Sequence, residues 1–180
     1  MVMILCRKIG QFSRATINGV LRLPHPYDLG SFKGVFPSDV TVTSTTKPYD
    51  FMDLGSFMFI SDKAKKILES FCTNVEFFPV VLKYRKKTVP GWHYLHFLEE
   101  VDCLDHEKTV RAGPDVSQPE MIKYMALRQH TCENKTIFRI GDSTAIAVSD
   151  ELASAITSAA CTGVLLVKPE DWRNPALWYG

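Results

Sequence analysis

The sequence has no apolar run that approaches the roughly 20 residues a bilayer-spanning helix needs. Its opening MVMILCRK is too short for a secretion signal and reaches no small-residue cleavage site, so it reads as a strand. Charge of one sign is also lacking. Lys and Arg number 21, Asp and Glu 20, and the net charge is +1. A nucleic-acid binder would ordinarily carry a basic stripe. The nearest feature, Lys83, Arg85, Lys86 and Lys87 around Tyr84, reads as a solvated turn between strands. There is no C-x-x-C, H-E-x-x-H, P-loop or G-x-G-x-x-G. G-x-S-x-G is absent too, which removes the nucleophile-elbow pattern. The five cysteines, Cys6, Cys72, Cys103, Cys132 and Cys161, are odd in number and widely spread, which points to reduced thiols in a cytoplasmic protein.

What is present is a stretch that occurs twice. Residues 57–80 read FMFISDKAKKILESFCTNVEFFPV, and residues 144–167 read TAIAVSDELASAITSAACTGVLLV. Each is a short apolar run, then Ser-Asp, then apolar residues at helical spacing, then Cys-Thr and a second apolar run. Ser61 superposes on Ser149, Asp62 on Asp150, Ile67 on Ala155 and Leu68 on Ile156. Strand, capped helix, strand is the physical reading. A serine oxygen accepts an otherwise orphaned amide of the first turn, and the following Asp suits the positive end of the helix dipole. Ala64, Ile67, Leu68 and Phe71 fall on one face, as do Leu152, Ala155, Ile156 and Ala159. Each helix is expected to dock on its own flanking strands.

Residues 1–55 form an irregular N-terminal segment packed on the body. They carry Pro24, Pro26, Pro37 and Pro48 among several glycines, with an edge strand near Asp39–Thr43. Residues 56–180 form the body, and the whole is one compact domain. Val75–Tyr84 reads as one long strand buried on both faces, RKKTVPG as a turn, and Trp92–Leu98 as an aromatic-rich strand. Glu120–Leu127 fits a helix or a strand. Thr136–Ile140 is a strand and Gly141-Asp142 a turn. The tail should lie against the body, since exposed Trp172 and Trp178 would make a costly apolar patch unless a partner covers them. The expected class is α+β: a mostly antiparallel, partly mixed sheet with two or more packed helices.

The one dense polar cluster is His93, His96, Asp102, Cys103, Asp105, His106 and Glu107. His93, His96, Asp102 and His106 are all possible ligands of a divalent metal, which would make the protein a metal-dependent hydrolase. Against this, His93 and His96 point to opposite faces if 92–98 is a strand. Polar residues at strand ends more commonly accept backbone amides. No residue supports a catalytic assignment, and no cofactor is implied.

The order of FISDKAKKIL, NVEFFPV, YLHFLEEVDCLDHEKT, TIFRIG, IAVSDELASAI and CTGVLLV resembles a family of bacterial immunity proteins. It is the eleventh numbered family of the polymorphic-toxin immunity catalogue. The resemblance covers about residues 56–168. It implies a small cytoplasmic protein that binds and blocks a cognate toxin, usually one encoded beside it, without catalysis. No catalytic or contact residue carries over from it. The surfaces to weigh are the acidic run Glu99, Glu100, Asp102, Asp105 and Glu107, and the tail residues Trp172 and Trp178. An acidic patch suits a toxin with a basic active site, such as a nuclease. It equally suits a solvated loop. A third reading, an adaptor domain of a larger assembly, also fits the tryptophans. The partner is then a protein, with neither nucleic acid nor membrane bound directly; the oligomeric state is left open.

Overall fold

The computed structural model describes residues 2–7, 14–54, 56–111, 122–143 and 145–172. Its first half carries β1 (Val2–Arg7), β2 (Ala15–Asn18), β3 (Thr41–Ser44), β4 (Phe51–Leu54), β5 (Phe57–Ser61), α1 (Asp62–Phe71), β6 (Val75–Pro79), β7 (Val81–Tyr84), β8 (Lys87–Val89) and β9 (Trp92–Phe97). Its second half carries β10 (Glu100–Val101), β11 (Val110–Arg111), β12 (Ile122–Tyr124), β13 (Ile137–Ile140), β14 (Ile146–Ser149), α2 (Asp150–Ser158) and β15 (Val164–Val167). The fold is α+β and mostly antiparallel, with parallel pairs at β3/β7 and β10/β13. The strands are divided among several sheets rather than gathered in one. No helix among the described residues is long and apolar enough to cross a membrane.

The duplicated stretch organises the architecture. One sheet runs β4-β5-β9-β6, and another contains β13-β14-β1-β15. β5 and β6 are both antiparallel to β9, so they are parallel to each other with β9 between them. β14 and β15 flank β1 in the same way. Each unit is therefore a split β-α-β motif, with its helix crossing over an inserted antiparallel strand.

The registers agree residue for residue. Ser61 pairs with Trp92 and Met58 with Leu95, as Ser149 pairs with Val2 and Ile146 with Leu5. Phe77 pairs with Leu95 as Leu166 does with Leu5. Phe51 pairs with Ile60 as Ile137 does with Val148. The inserted strand follows its unit in the first copy, whereas the second copy is completed by the first strand of the chain. The N-terminal segment thus supplies a strand inside a sheet as well as β2, β3 and β4.

Both helices start where the serines place them. Ser61 Oγ accepts the Ala64 amide at 3.3 Å, and Ser149 Oγ accepts the Leu152 amide at 3.3 Å. The helices pack on their own strands and also on each other. Between the two motifs lies a core in which equivalent residues face one another, with Leu5 and Leu95, Ile60 and Val148, and Leu68 and Ile156 all buried. Burying one such side chain stabilises the fold by about 1.5–3 kcal/mol. Phe71 leaves the expected stripe and is 40% exposed, because α1 ends there and Cys72, four residues after Leu68, takes the inward position.

Two further cores lie on the outer faces. Met52, Phe59 and Tyr94 pack under Val42 and Leu82 of the sheet β2-β3-β7-β8. Ile4, Phe138 and Ala147 pack under Leu104, Ile122 and Trp172. The stretch 75–84 is two strands, not one, and is not buried on both faces. The Val80 amide bonds to the Trp92 carbonyl at 3.0 Å, and the next amide, of Val81, to Val40 at 2.9 Å. The chain changes sheets between these residues. Pro79 sits at the end of an edge strand, where its missing N–H is tolerated. β3 lies between β2 and β7, so it is not an edge. The basic turn contracts to Arg85 and Lys86, at φ 50 and 64, and Ile122–Tyr124 resolves as a strand.

Candidate functional site

β9 separates its two histidines, as strand alternation requires. His96 is fully buried, its Nε2–H donates to the Gly30 carbonyl at 2.8 Å, and its ring stacks on Phe32 at 3.6 Å. Burial disfavours its cation and holds its pKa below the usual histidine value, against the pull of the Gly30 carbonyl and Glu76. Glu76 accepts from Ser31 Oγ at 2.6 Å and from the Phe32 amide at 2.9 Å, which locks the loop at residues 30–33 over β6 and β9. His93 faces the other way, with Nε2 2.7 Å from Asp62 Oδ1 at the start of α1. Gly91, at φ +77, closes this corner: a Cβ there would collide with the Asp62 carboxylate. His106 lies elsewhere, 3.9 Å from Asp102 and 3.8 Å from Asp142. The structure therefore does not bring His93, His96, Asp102 and His106 together. Among the described residues, no three His, Cys, Asp or Glu side chains are grouped to hold a metal ion.

The acidic segment is anchored from within. Cys103 and Leu104 are fully buried, Leu104 bridges to Leu127, and β10 pairs with β13. Its carboxylates then divide by exposure. Glu99 is half-buried, ion-paired with Lys135 and bonded to Asn74 Nδ2 at 2.9 Å. Asp105 accepts from the Lys108 amide at 3.2 Å and pairs with its ammonium at 3.0 Å; these contacts with Lys108 hold its carboxyl below the usual range. Glu100, Asp102 and Glu107 are exposed. Asp102 is oriented by Arg128 Nη2, which donates to its carboxylate and to its carbonyl, each at 2.8 Å. Trp172 is 3% exposed and belongs to the same apolar cluster as Cys103 and Leu104, so Trp172 and the acidic segment meet over one face of the sheet. Trp178 lies outside the described residues.

Two features escape sequence reasoning. A cavity of about 60 Å³ lies between the motifs, lined by Asp53, Arg139, Tyr27, Ser56 and Ser143 among others. The Arg139 guanidinium lies 4.6 Å from the Tyr27 ring centroid and 5.2 Å from that of Phe97. Asp53 and Arg139 occupy equivalent register positions, so aligning FMDL with IFRI ahead of the repeated stretch would have exposed them. The second is the Asp50 carboxylate, which joins the motifs through Ser61 and Thr162.

Fold and site together define an α+β protein built on two split β-α-β motifs, with an anchored acidic segment on one outer face. The chain belongs to the immunity protein family Imm11, whose family model matches residues 11–171. The match takes in most of the N-terminal segment, well beyond residues 56–168. No curated protein matches the chain.

Proposed function

We propose that this protein neutralises a cognate bacterial toxin in the cytoplasm by covering part of its surface, and catalyses no reaction itself. Membership of an immunity family is the observation that carries this reading. The contact face we assign is the acidic segment. Glu100, Asp102 and Glu107 project from a strip that Cys103 and Leu104 fix in the core. Glu99 and Asp105 hold the strip in shape through Lys135 and Lys108. Trp172 supports it from beneath. Exposed carboxylates on an anchored strip suit a toxin with a basic active site, a nuclease being the natural class, because complementary charge speeds and orients docking.

Co-expression with a candidate toxin, sought among the neighbouring genes, tests the reading. A stable complex and restored growth are expected. Reversing Glu100, Asp102 and Glu107 to Lys should slow association at low salt by about tenfold or more and flatten its salt dependence. Growth arrest despite abundant folded protein would overturn the function. Unchanged association by the triple variant would overturn the assigned face alone.

A further inference from the structure

Arg139 is 7% exposed, and its Nε is fully enclosed with no hydrogen-bond partner. Among the described residues, no hydrogen bond or ion pair reaches the rest of its guanidinium either. What lies against it is aromatic, the Tyr27 ring centroid at 4.6 Å and that of Phe97 at 5.2 Å. Ring faces attract a cation but leave its N–H groups without oxygen acceptors. Glu100, its partner in the β10/β13 register, is exposed and forms no ion pair with it. A buried charge is ordinarily paired, because leaving it unpaired is costly.

Arg139 lines the cavity of about 60 Å³ between the two motifs. At roughly 15 Å³ per water, that is room for about four waters, or for a ligand of about four heavy atoms. Tyr27 and Ser56 are half-buried, so the cavity reaches the surface on their side. Ser56 Oγ donates to Tyr27 Oη at 3.3 Å, which leaves the phenol proton for an acceptor inside. Ser143 is already committed: its Oγ donates to the Ile140 carbonyl at 3.0 Å and accepts the Ala145 amide at 3.1 Å. The donors still open are those of Arg139 and Tyr27. Leu5 and Met58 supply apolar wall. Asp53 also lines the cavity, and its charge weighs against a second negative charge on any occupant.

We propose that this cavity is a binding site for a small monocarboxylate, of the size of acetate, held by Arg139. The edge of a guanidinium matches a carboxylate through paired N–H···O bonds, which is the recognition arginine performs best. The Tyr27 hydroxyl adds a further donor, and Leu5 and Met58 accommodate the methyl group. Water fills the same volume but brings no charge to set against the buried guanidinium. Arg139 belongs to β13 of the second motif, whereas Tyr27 and Ser56 come from the first half of the chain. An occupant therefore ties the two halves together and stabilises the fold by linkage. The site is separate from the acidic face, and the proposal does not rest on toxin binding.

The test follows thermal unfolding of the whole protein against sodium acetate, with sodium chloride at matched ionic strength as reference. Acetate should give a saturable rise in melting temperature, half-complete at roughly millimolar concentration, since about four heavy atoms limit the affinity. Benzoate carries the same charge on a body too large for the cavity, and should behave as chloride does. Arg139→Gln should raise the half-saturating acetate concentration by about tenfold or more. Arg85→Gln, on the exposed turn between β7 and β8, should leave it unchanged. Acetate acting no differently from chloride, or benzoate matching acetate, would overturn the proposal. The wild-type comparison of the three salts decides the matter even if Arg139→Gln does not fold.

Discussion

Asp50 offers the sharpest test of how the two motifs are held together. It precedes β4 in the first motif, and its carboxylate reaches the second. Oδ1 accepts from Ser61 Oγ, the cap of α1, at 2.7 Å. Oδ2 accepts from the amide and the hydroxyl of Thr162, each at 2.9 Å, and lies 3.6 Å from Lys63 Nζ. The Asp50 amide donates to Thr162 Oγ1 at 3.0 Å, and the Phe51 amide to the Thr162 carbonyl at 3.0 Å. Gly163, at φ +83, lets these strands approach, since a Cβ there would collide with the Phe51 carbonyl.

Asp50→Ala removes three hydrogen bonds to a charged acceptor. Each is worth about 1.5–3 kcal/mol when well buried. The carboxylate is only 17% exposed, but the hydroxyl donors can rotate to other acceptors. The expected loss is therefore about 2–4 kcal/mol rather than the full sum. Burial works to raise the Asp50 pKa, but the bonds from Ser61 and Thr162 and the charge of Lys63 outweigh it, so the folded value lies below the ordinary one. A depressed carboxylate contributes stability that is complete above its unfolded pKa of about 3.9 and fades as pH falls through the folded value. Urea unfolding of wild type and variant should therefore differ by a constant amount from neutral pH down to about pH 5, and the difference should shrink as pH falls below about 3.9 toward the folded value. A difference under about 0.5 kcal/mol at neutral pH, or one that persists unchanged in acid, would refute the bridging role.

Four further outcomes are expected. Leu68→Ala should cost about 2.7–5 kcal/mol in urea unfolding, because Leu68 is fully buried between the motifs. Phe71→Ala, at an exposed helix end, should cost less than about 1 kcal/mol. Replacing Arg85-Lys86 with Asn-Gly should raise stability by about 1 kcal/mol, since both residues occupy positive φ in a two-residue hairpin. An unchanged melting temperature would contradict that. His96 is held neutral by burial, so the unfolded chain binds the extra proton first, and stability should fall as pH drops below about 6.5. His96→Gln, compared between pH 7.5 and 5, should lose that part of the slope.

The helix caps are legible in the sequence because capping is local: Ser61 and Ser149 need only the next three residues. So is the opposed direction of His93 and His96, which follows from strand alternation. The completion of the second motif by β1 is not legible. Nothing near Val2 signals a partner at Ser149, and an apolar strand fits many neighbours. The split of 75–84 into two sheets is hidden for a similar reason, since an apolar run does not record which sheet receives it. Composition exaggerates the acidic segment. Arg128 and Lys135, which pair with Asp102 and Glu99, arrive from distant parts of the chain. Cys103 and Cys132 likewise enter one apolar cluster only through the fold.

The most direct measurement is a titration of the purified protein into the candidate toxin, sought among the products of neighbouring genes, following toxin activity and complex formation together. Saturable inhibition is expected, complete at a fixed stoichiometry and accompanied by a complex that survives gel filtration. Toxin that stays fully active beside excess folded protein, or turnover of any substrate by this protein alone, would contradict a molecule that acts by occupying a surface.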